Sequence, residues 1–350
     1  MNNFENDTDL TNEKNKRIQL NKVLEHPTIR RMLQRMPEGL TDIEKARYVY
    51  INLGKIFTLD TNYFLGNSNA RGKILYKCRK YEYMDLDKLK LKENRYKGIC
   101  INIARTYGAI MTSLNIPVFL SNDGTDPHLD GEIWCDKGNG ELRKIPVDLQ
   151  RDLLYIQTHQ HTRNFGRNLS GTEVVVSDEE LEQIDKKIGY DYDGERIFAK
   201  MISDYRKEII GLTSKEKIEL FMKKVENLPY FNELGIMEKK DLITTFKDQM
   251  LAGYERNNFY TTYIYKKDEN EKYNRKGIIP VYSFKEEKEY YRYYFDKNER
   301  KYKSISDEEL IKFMDSNDYY SRKEIPGLDK SREKFKLFKI IKNKNNKEER

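Results

Sequence analysis

Residues 98–118 read GICINIARTYGAIMTSLNIPV, and this stretch carries the clearest fold signal in the chain. Its apolar residues recur at helical spacing: Ile103, Tyr107, Ile110, Met111 and Leu114. The pattern predicts an amphipathic helix from about Cys100 to Leu114. Asn115 suits the left-handed turn that ends a helix, and Pro117 prevents the helix from continuing. A cysteine therefore stands at the first turn of a core helix.

The flanking sequence predicts one helix before this stretch and a small sheet after it. Thr41 and Glu44 form a capping-box pattern that begins a helix, and the region 58–97 reads as irregular. The segments expected to form strands are Val118–Leu120, Glu132–Cys135, Glu141–Val147 and Leu153–Thr158. The turn residues 137–140 read KGNG and join the second and third of these strands as a hairpin.

The second half of the chain changes character after about residue 170. Three capping boxes predict helices, and they begin at Ser177, Thr213 and Ser306. Three aromatic-rich segments predict strands: Thr261–Tyr265, Ile278–Phe284 and Tyr290–Phe295. We therefore expect an α+β fold with a soft domain boundary between residues 170 and 190.

Composition limits the class of protein. The 65 basic and 58 acidic residues give a net charge of +7, which is mild for 350 residues, so we expect no nucleic-acid partner. The excess gathers in a basic tail, residues 331–350, which is expected to make at most weak contact with anionic surfaces and reads more simply as a solvated end. No apolar run is long enough to span a membrane and no signal sequence is apparent, so a cytoplasmic location is expected, with export by another route left open.

The three cysteines, Cys78, Cys100 and Cys135, do not form a disulfide framework or a CxxC metal site. A catalytic thiol needs a base and a group that orients the base. His128 enters the predicted hairpin and Asp148 leaves it. If the turn is centred near Gly138, these two residues lie directly opposite each other on one face. Cys100 at a helix start is favoured as a thiolate by the helix dipole.

Several motifs in this order resemble the transglutaminase-like superfamily of papain-related enzymes, as in its bacterial members. They are Gly98-x-Cys100 with Ala104, Leu114-Asn115-Ile116-Pro117-Val118, His128-x-x-x-Glu132-Ile133 and Val147-Asp148. The resemblance covers roughly residues 38–165. It implies a papain-like core in which a cysteine-bearing helix packs on an antiparallel sheet that carries histidine and aspartate. Leu129 and Asp130 depart from the residues that usually follow the histidine.

Other residues carry weaker signals. Gly98 lets a substrate approach the backbone, Asn94 is a guess for an oxyanion donor, and Trp134 is a candidate for substrate positioning that reads more simply as core. Cys135 is expected to be a buried apolar residue, and Cys78 has no histidine partner. His159 and His161 would share a strand face without a third ligand, and residues 189–200 do not fit a calcium loop, so neither metal nor cofactor is expected.

These expectations give four segments. They are a partly helical extension (1–37), a transglutaminase-like catalytic core (38–170), a mixed α/β region of unassigned role (171–330) and the basic tail (331–350). The expected function is acyl transfer from a protein or peptide carboxamide through a Cys100–His128–Asp148 triad, as a cysteine protease, glutamine deamidase or transglutaminase. The alternatives are an inactive scaffold that binds a partner protein, and a protein that binds nucleic acid or membrane through its basic tail.

Overall fold

The computed structural model describes residues 22–66, 68–79, 86, 91–92, 95–121, 128–136, 140–167, 174–266, 277–296 and 298–328. The chain divides into two units. The first consists of Met1–Phe198 with Glu233–Asp241, and the second of Ala199–Asn232 with Leu242–Arg350. Each described unit combines α-helices with a largely antiparallel sheet, so the chain belongs to the α+β class.

The first unit contains two small sheets and several helices, of which the helices Asp42–Ile56 and Cys100–Ser113 bury the most residues. Its α-helices are α1 (Pro27–Gln34), α2 (Asp42–Ile56), α3 (Thr61–Phe64), α4 (Ser68–Arg79), α5 (Cys100–Ser113), α6 (Leu149–Gln157), α7 (Asp178–Ile188) and the first six residues of α8 (Asp193–Glu208), whose remaining ten lie in the second unit. Its strands are β1 (Phe57–Leu59), β2 (Leu91–Lys92), β3 (Arg95–Gly98), β4 (Val118–Ser121), β5 (Asp130–Asp136) and β6 (Leu142–Val147). One sheet has the order β1-β3-β2 and the other β4-β5-β6.

Local sequence signals explain where the central helices begin and end. Glu44 accepts the Thr41 N–H at 2.7 Å, which completes the predicted capping box of α2. Helix α5 begins at Cys100, and Asn115 after it has a φ of 58°, the predicted left-handed turn. Gly54 in α2 lies against Ile156 in α6 so closely that a Cβ would fall 2.4 Å from Ile156 Cδ1. The missing side chain lets these two helices pack tightly.

Two predictions about secondary structure are wrong. Leu153–Thr158 is not a strand, because Asp148 caps α6 and Leu149, Leu153 and Ile156 bury one helical face. The region 58–97 is not irregular where it is described, since it forms strands β1 to β3 and helices α3 and α4. Its charged and polar residues hide the periodicity on which the prediction depended.

A buried ion pair attaches α7 to the rest of the first unit, whose first segment runs to Phe198. Arg47 on α2 donates from Nε to Asp185 Oδ1 at 2.7 Å and from Nη2 to Asp185 Oδ2 at 2.8 Å. A third donor, Nη1, reaches Thr162 Oγ1 at 2.7 Å. Both charged side chains are fully buried. Helix α7, which carries Asp185, is therefore part of this unit.

The second unit is a five-stranded antiparallel sheet with helices. Its strands are β7 (Phe259–Lys266), β8 (Ile278–Glu286), β9 (Glu289–Asp296), β10 (Lys301–Ile305) and β11 (Tyr319–Ser321), in the order β10-β9-β8-β7-β11. Its helices are α9 (Ser214–Glu226), the later part of α10 (Ile236–Met250), α11 (Gly253–Asn257) and α12 (Asp307–Ser316). The central strand β8 is buried on both faces from Ile278 to Phe284. The predicted capped helices and aromatic strands of this half are all present.

Replacing Asp185 by Asn should lower the free energy of unfolding by about 3–5 kcal/mol, because the Arg47 charge stays buried without its carboxylate. Trp134 is the single tryptophan and lies in the first unit, so its fluorescence in urea follows the unfolding of that unit. The double replacement Arg47→Met with Asp185→Leu removes both charges and should recover most of the loss. A loss as large in the double variant would show that shape and not charge governs this contact.

Candidate active site

Cys100 is held at the first turn of α5 by the strand before it. Strand β3 pairs in parallel with β1 up to Gly98, opposite Leu59, and the chain enters the helix two residues later. Asn102 Oδ1 accepts the Ile99 N–H at 3.0 Å, which fixes the backbone immediately before the cysteine. The Cys100 side chain is buried, with 4% of the residue exposed. N–H groups in the first turn of a helix have no acceptor within the helix and favour a negative charge nearby.

Gly98 is explained by packing. A Cβ at this position would lie 3.1 Å from Phe57 Cδ1 and 3.4 Å from Asn102 Cβ. Gly98 is not among the residues that line the cleft beside Cys100. The structure therefore gives the glycine a role in packing against Phe57, and its role in substrate approach stays a prediction.

His128 and Asp148 lie together at the end of the second sheet. His128 Nε2 is 2.7 Å from Asp148 Oδ2. The predicted register of the hairpin is wrong by two residues, because Gly131 pairs with Val147 and the ladder is centred on Asn139. A shift of two residues leaves side chains on the same face, so the two residues meet diagonally and not directly across.

Asp148 is held through its backbone and its carboxylate. Its N–H donates to Asn164 O at 2.9 Å, and the Tyr50 hydroxyl lies 2.8 Å from its carbonyl oxygen. Its Oδ1 accepts the Arg151 N–H at 3.3 Å, which caps α6, while Arg151 Nε lies 3.1 Å from Oδ2. The same carboxylate therefore starts a helix and orients the histidine.

A second buried carboxylate, Asp152, supports this arrangement from one helical turn below. It accepts the backbone N–H groups of Arg163 and Asn164 at 2.9 and 3.0 Å, and the Asn164 side-chain amide at 2.8 Å. Tyr50 is also 2.8 Å from Asp152 Oδ2, so its one proton is shared between two acceptors. Burial and the two neighbouring carboxylates raise the pKa of Tyr50 well above its usual value.

The charges around His128 favour its protonated form. Burial alone would lower the pKa of the ring, but hydrogen bonds to Asp148 and to the Cys100 side chain, with their negative charge, raise the pKa of His128 to about 10. Because this value exceeds about 6.5 in the unfolded chain, the charged ring stabilises the fold fully below pH 6.5. That contribution declines as the pH rises and is lost above about 10.

A cleft opens beside Cys100. It is lined by Cys100, Ile103, Ala104, Tyr107, Leu120, Leu129, Asp130, Gly131, Val147, Leu149 and Gln150. The empty space, including the part open to solvent, is about 280 Å³.

The remaining predicted residues lie elsewhere or outside the described part. Trp134 is 37% exposed on the outward face of β5 and is absent from the cleft lining, so its interpretation as core is wrong. Cys135 is buried as predicted, and burial raises the pKa of its thiol to about 12. Asn94 and the side chain of Cys78 lie outside the described residues, as does the basic tail.

His159 and His161 follow α6 and do not sit on a strand. His159 Nδ1 lies 3.4 Å from Asp191 Oδ1 and 3.6 Å from Asp193 Oδ1. These three residues meet the spacing of metal ligands, although Asp191 is largely exposed. His161 donates its backbone N–H to Glu195 at 2.9 Å. The sequence pattern did not foresee that His159 would meet the two aspartates.

The supporting residues Tyr50, Asp152 and Gln150 were not found from the sequence. Each is a common residue type on an amphipathic helix, and the partners of Tyr50 lie about a hundred positions away in the chain. The one available signal is that Gln150 and Asp152 closely follow Asp148. In the described ranges, no helix is both long and apolar enough to cross a bilayer.

Comparisons of the chain with protein-family models, with curated proteins and with solved structures give no match.

Replacing Asp148 by Asn should shift the titration of His128 from about pH 10 toward 6.5, because the ring loses its charged acceptor. Asn can still cap α6, so the helix should remain. Histidine ring NMR across pH measures the shift, with His128→Gln used to assign the signal. Glu132→Gln is the matched control, since Glu132 pairs with Lys144 at 2.6 Å, and should leave the value near 10. An unchanged titration in Asp148→Asn would show that Asp148 does not govern the ring.

Proposed function

We propose that the first unit is a transglutaminase-like thiol enzyme that transfers an acyl group from a protein or peptide carboxamide. The observation that carries the proposal is His128, which hydrogen-bonds both to Asp148 and to the side chain of Cys100, one of the residues that line the cleft. This is the relation among nucleophile, base and orienting carboxylate that thiol acyl transfer requires. The order of the motifs around Cys100, His128 and Asp148 in the sequence supports the same proposal.

The raised pKa of His128 gives the first step its direction. A protonated imidazole hydrogen-bonded to a cysteine favours the thiolate as the nucleophile. Nε2 is engaged by Asp148, which leaves Nδ1 to exchange a proton with Cys100. The thiolate attacks the carbonyl carbon of the substrate and a C–S bond forms. The carbonyl electrons move to oxygen, where the N–H groups at the start of α5 favour the negative charge.

The second step releases the amine. His128 gives its proton to the substrate nitrogen, the C–N bond breaks, and the carbonyl reforms as a thioester on Cys100. Water or a primary amine, deprotonated by the now neutral His128, then attacks the thioester and frees the thiolate. Hydrolysis of a peptide bond, deamidation of glutamine and crosslinking differ only in the amide attacked and in this last nucleophile.

The packing of α5 against the second sheet also supports this proposal. A cysteine-bearing helix, α5, packs against an antiparallel sheet, β4-β5-β6, at whose end His128 and Asp148 lie. Transglutaminase-like and papain-like cores share this arrangement. We assign the core to Met1–Phe198 with Glu233–Asp241, and give the second unit no part in the chemistry.

Cys100→Ala should abolish acyl transfer and leave the fold intact. Casein with a fluorescent primary amine serves as the probe, and three products are measured: new peptide termini, released ammonia and incorporated amine. Hydroxylamine should trap the thioester as a hydroxamate. Cys135→Ala is the matched control, because Cys135 is buried outside the cleft, and it should retain activity. Full activity of Cys100→Ala would remove the proposal.

Alkylation by iodoacetamide, followed by peptide mapping, tests the site independently of substrate choice. We expect selective modification of Cys100 below pH 7, where an ordinary thiol with a pKa of about 8.5 reacts slowly. His128→Ala should remove the selectivity. Equal, slow labelling of all three cysteines in the wild type would favour the inactive scaffold that binds a partner.

A further inference from the structure

Gln150, which lines the cleft, carries a buried hydrogen-bond acceptor that is unsatisfied. It lies in the first turn of α6, two residues after Asp148, and lines the same cleft as Cys100. Its Oε1 atom is shielded from solvent and accepts no hydrogen bond within the described part of the chain. Burying an acceptor without a donor costs free energy, so such an atom in a cleft calls for an explanation.

Among the described residues that line the cleft, no polar side chain supplies the donor. The Cys100 side chain is hydrogen-bonded to His128, and the Tyr107 hydroxyl donates to Ala46 O at 3.3 Å. Asp130, when ionised, has acceptors only. The other lining side chains are hydrocarbon: Ile103, Ala104, Leu120, Leu129, Val147 and Leu149. In such apolar surroundings, a donor brought by the occupant of the cleft would form a strong hydrogen bond.

We propose that Gln150 is a specificity-determining residue whose Oε1 accepts an N–H from the nitrogen attached to the substrate carbonyl. The inference rests on the proposed acyl-transfer function. A primary or secondary carboxamide has at least one N–H on this nitrogen, whereas an ester has an oxygen there with lone pairs and no hydrogen. The site therefore takes carboxamides and rejects esters of the same shape, because an ester leaves Oε1 buried and unpaired.

The contact fits the chemistry of the acylation step. As Cys100 attacks, the C–N bond lengthens and the nitrogen accepts a proton from His128, so its hydrogens become more acidic. Oε1 of Gln150 holds one N–H and neither gains nor loses a proton. When the C–N bond breaks, ammonia or an amine leaves with that hydrogen. The hydrogen bond is thus stronger in the transition state than in the bound substrate, which is the condition for lowering a barrier.

The test compares two alkylating probes that differ only at this position, iodoacetamide and methyl iodoacetate. The first carries N–H donors beside its carbonyl and the second has none. Rate constants at Cys100 are measured by peptide mapping and divided by those for free cysteine, which removes intrinsic reactivity. Wild type should favour iodoacetamide by about tenfold, the factor expected for one buried hydrogen bond. Gln150→Met, which keeps the side-chain length without the amide oxygen, should bring the ratio near one.

Two further variants keep the result interpretable. Gln150→Glu retains an acceptor oxygen and should retain the amide preference. Gln183→Met changes an exposed glutamine on α7 and should behave as wild type. Circular dichroism and Trp134 fluorescence check that each variant is folded.

The outcomes separate the two proposals. A preference near tenfold that is unchanged in Gln150→Met, or no preference in wild type, overturns the role of Gln150 while Cys100 remains a reactive thiolate. If folded wild type reacts with neither probe at Cys100 but the unfolded protein reacts with both, the proposed acyl-transfer function itself fails, and the role of Gln150 fails with it.

Discussion

The short connection between β6 and α6 at Asp148 is the constraint on which the candidate site depends. Its backbone is bound on one side by Asn164 and on the other by the Tyr50 hydroxyl, while its carboxylate faces His128. A side chain that both caps a helix and orients a histidine has little freedom to rotate. The carboxylate that orients the histidine ring is therefore fixed by the main chain of the core.

Buried polar groups on α2 maintain this connection from behind. Tyr50 links α2 to Asp148 and Asp152, and Arg47, one turn earlier, links the same helix to Asp185. Buried charges are costly unless they are paired and hydrogen-bonded, and here each has several partners. The hydrogen bonds of this network fix the position of the β6–α6 connection relative to α2. Apolar side chains of equal volume would not specify that position.

Local signals in the sequence were sufficient for much of the fold. The helix after Cys100, the capping box at Thr41 and the hairpin leading to Asp148 follow from periodicity, capping and turn residues, all of which act within a few positions. The exact pairing of the hairpin did not follow, because several turn geometries suit residues 137–140 and they differ in register. The strand predicted at Leu153–Thr158 failed for a related reason: a short apolar run fits a helix as well as a strand, and the cap at Asp148 decides between them. Tyr50 and Arg47 could not be identified, since their importance comes from partners distant in the sequence. Gln150 could not be identified because no local pattern shows that it lines the cleft beside Cys100.

The two-residue offset in the hairpin bears on how this part of the gene can change length. Successive residues of β6 point to opposite faces, and Asp148 follows directly on its last residue, Val147. One codon inserted within the strand would turn the aspartate away from His128, whereas two would restore its direction. Insertions or deletions of one codon between Leu142 and Val147 should therefore separate Asp148 from His128. Changes of two codons should let the two side chains meet again.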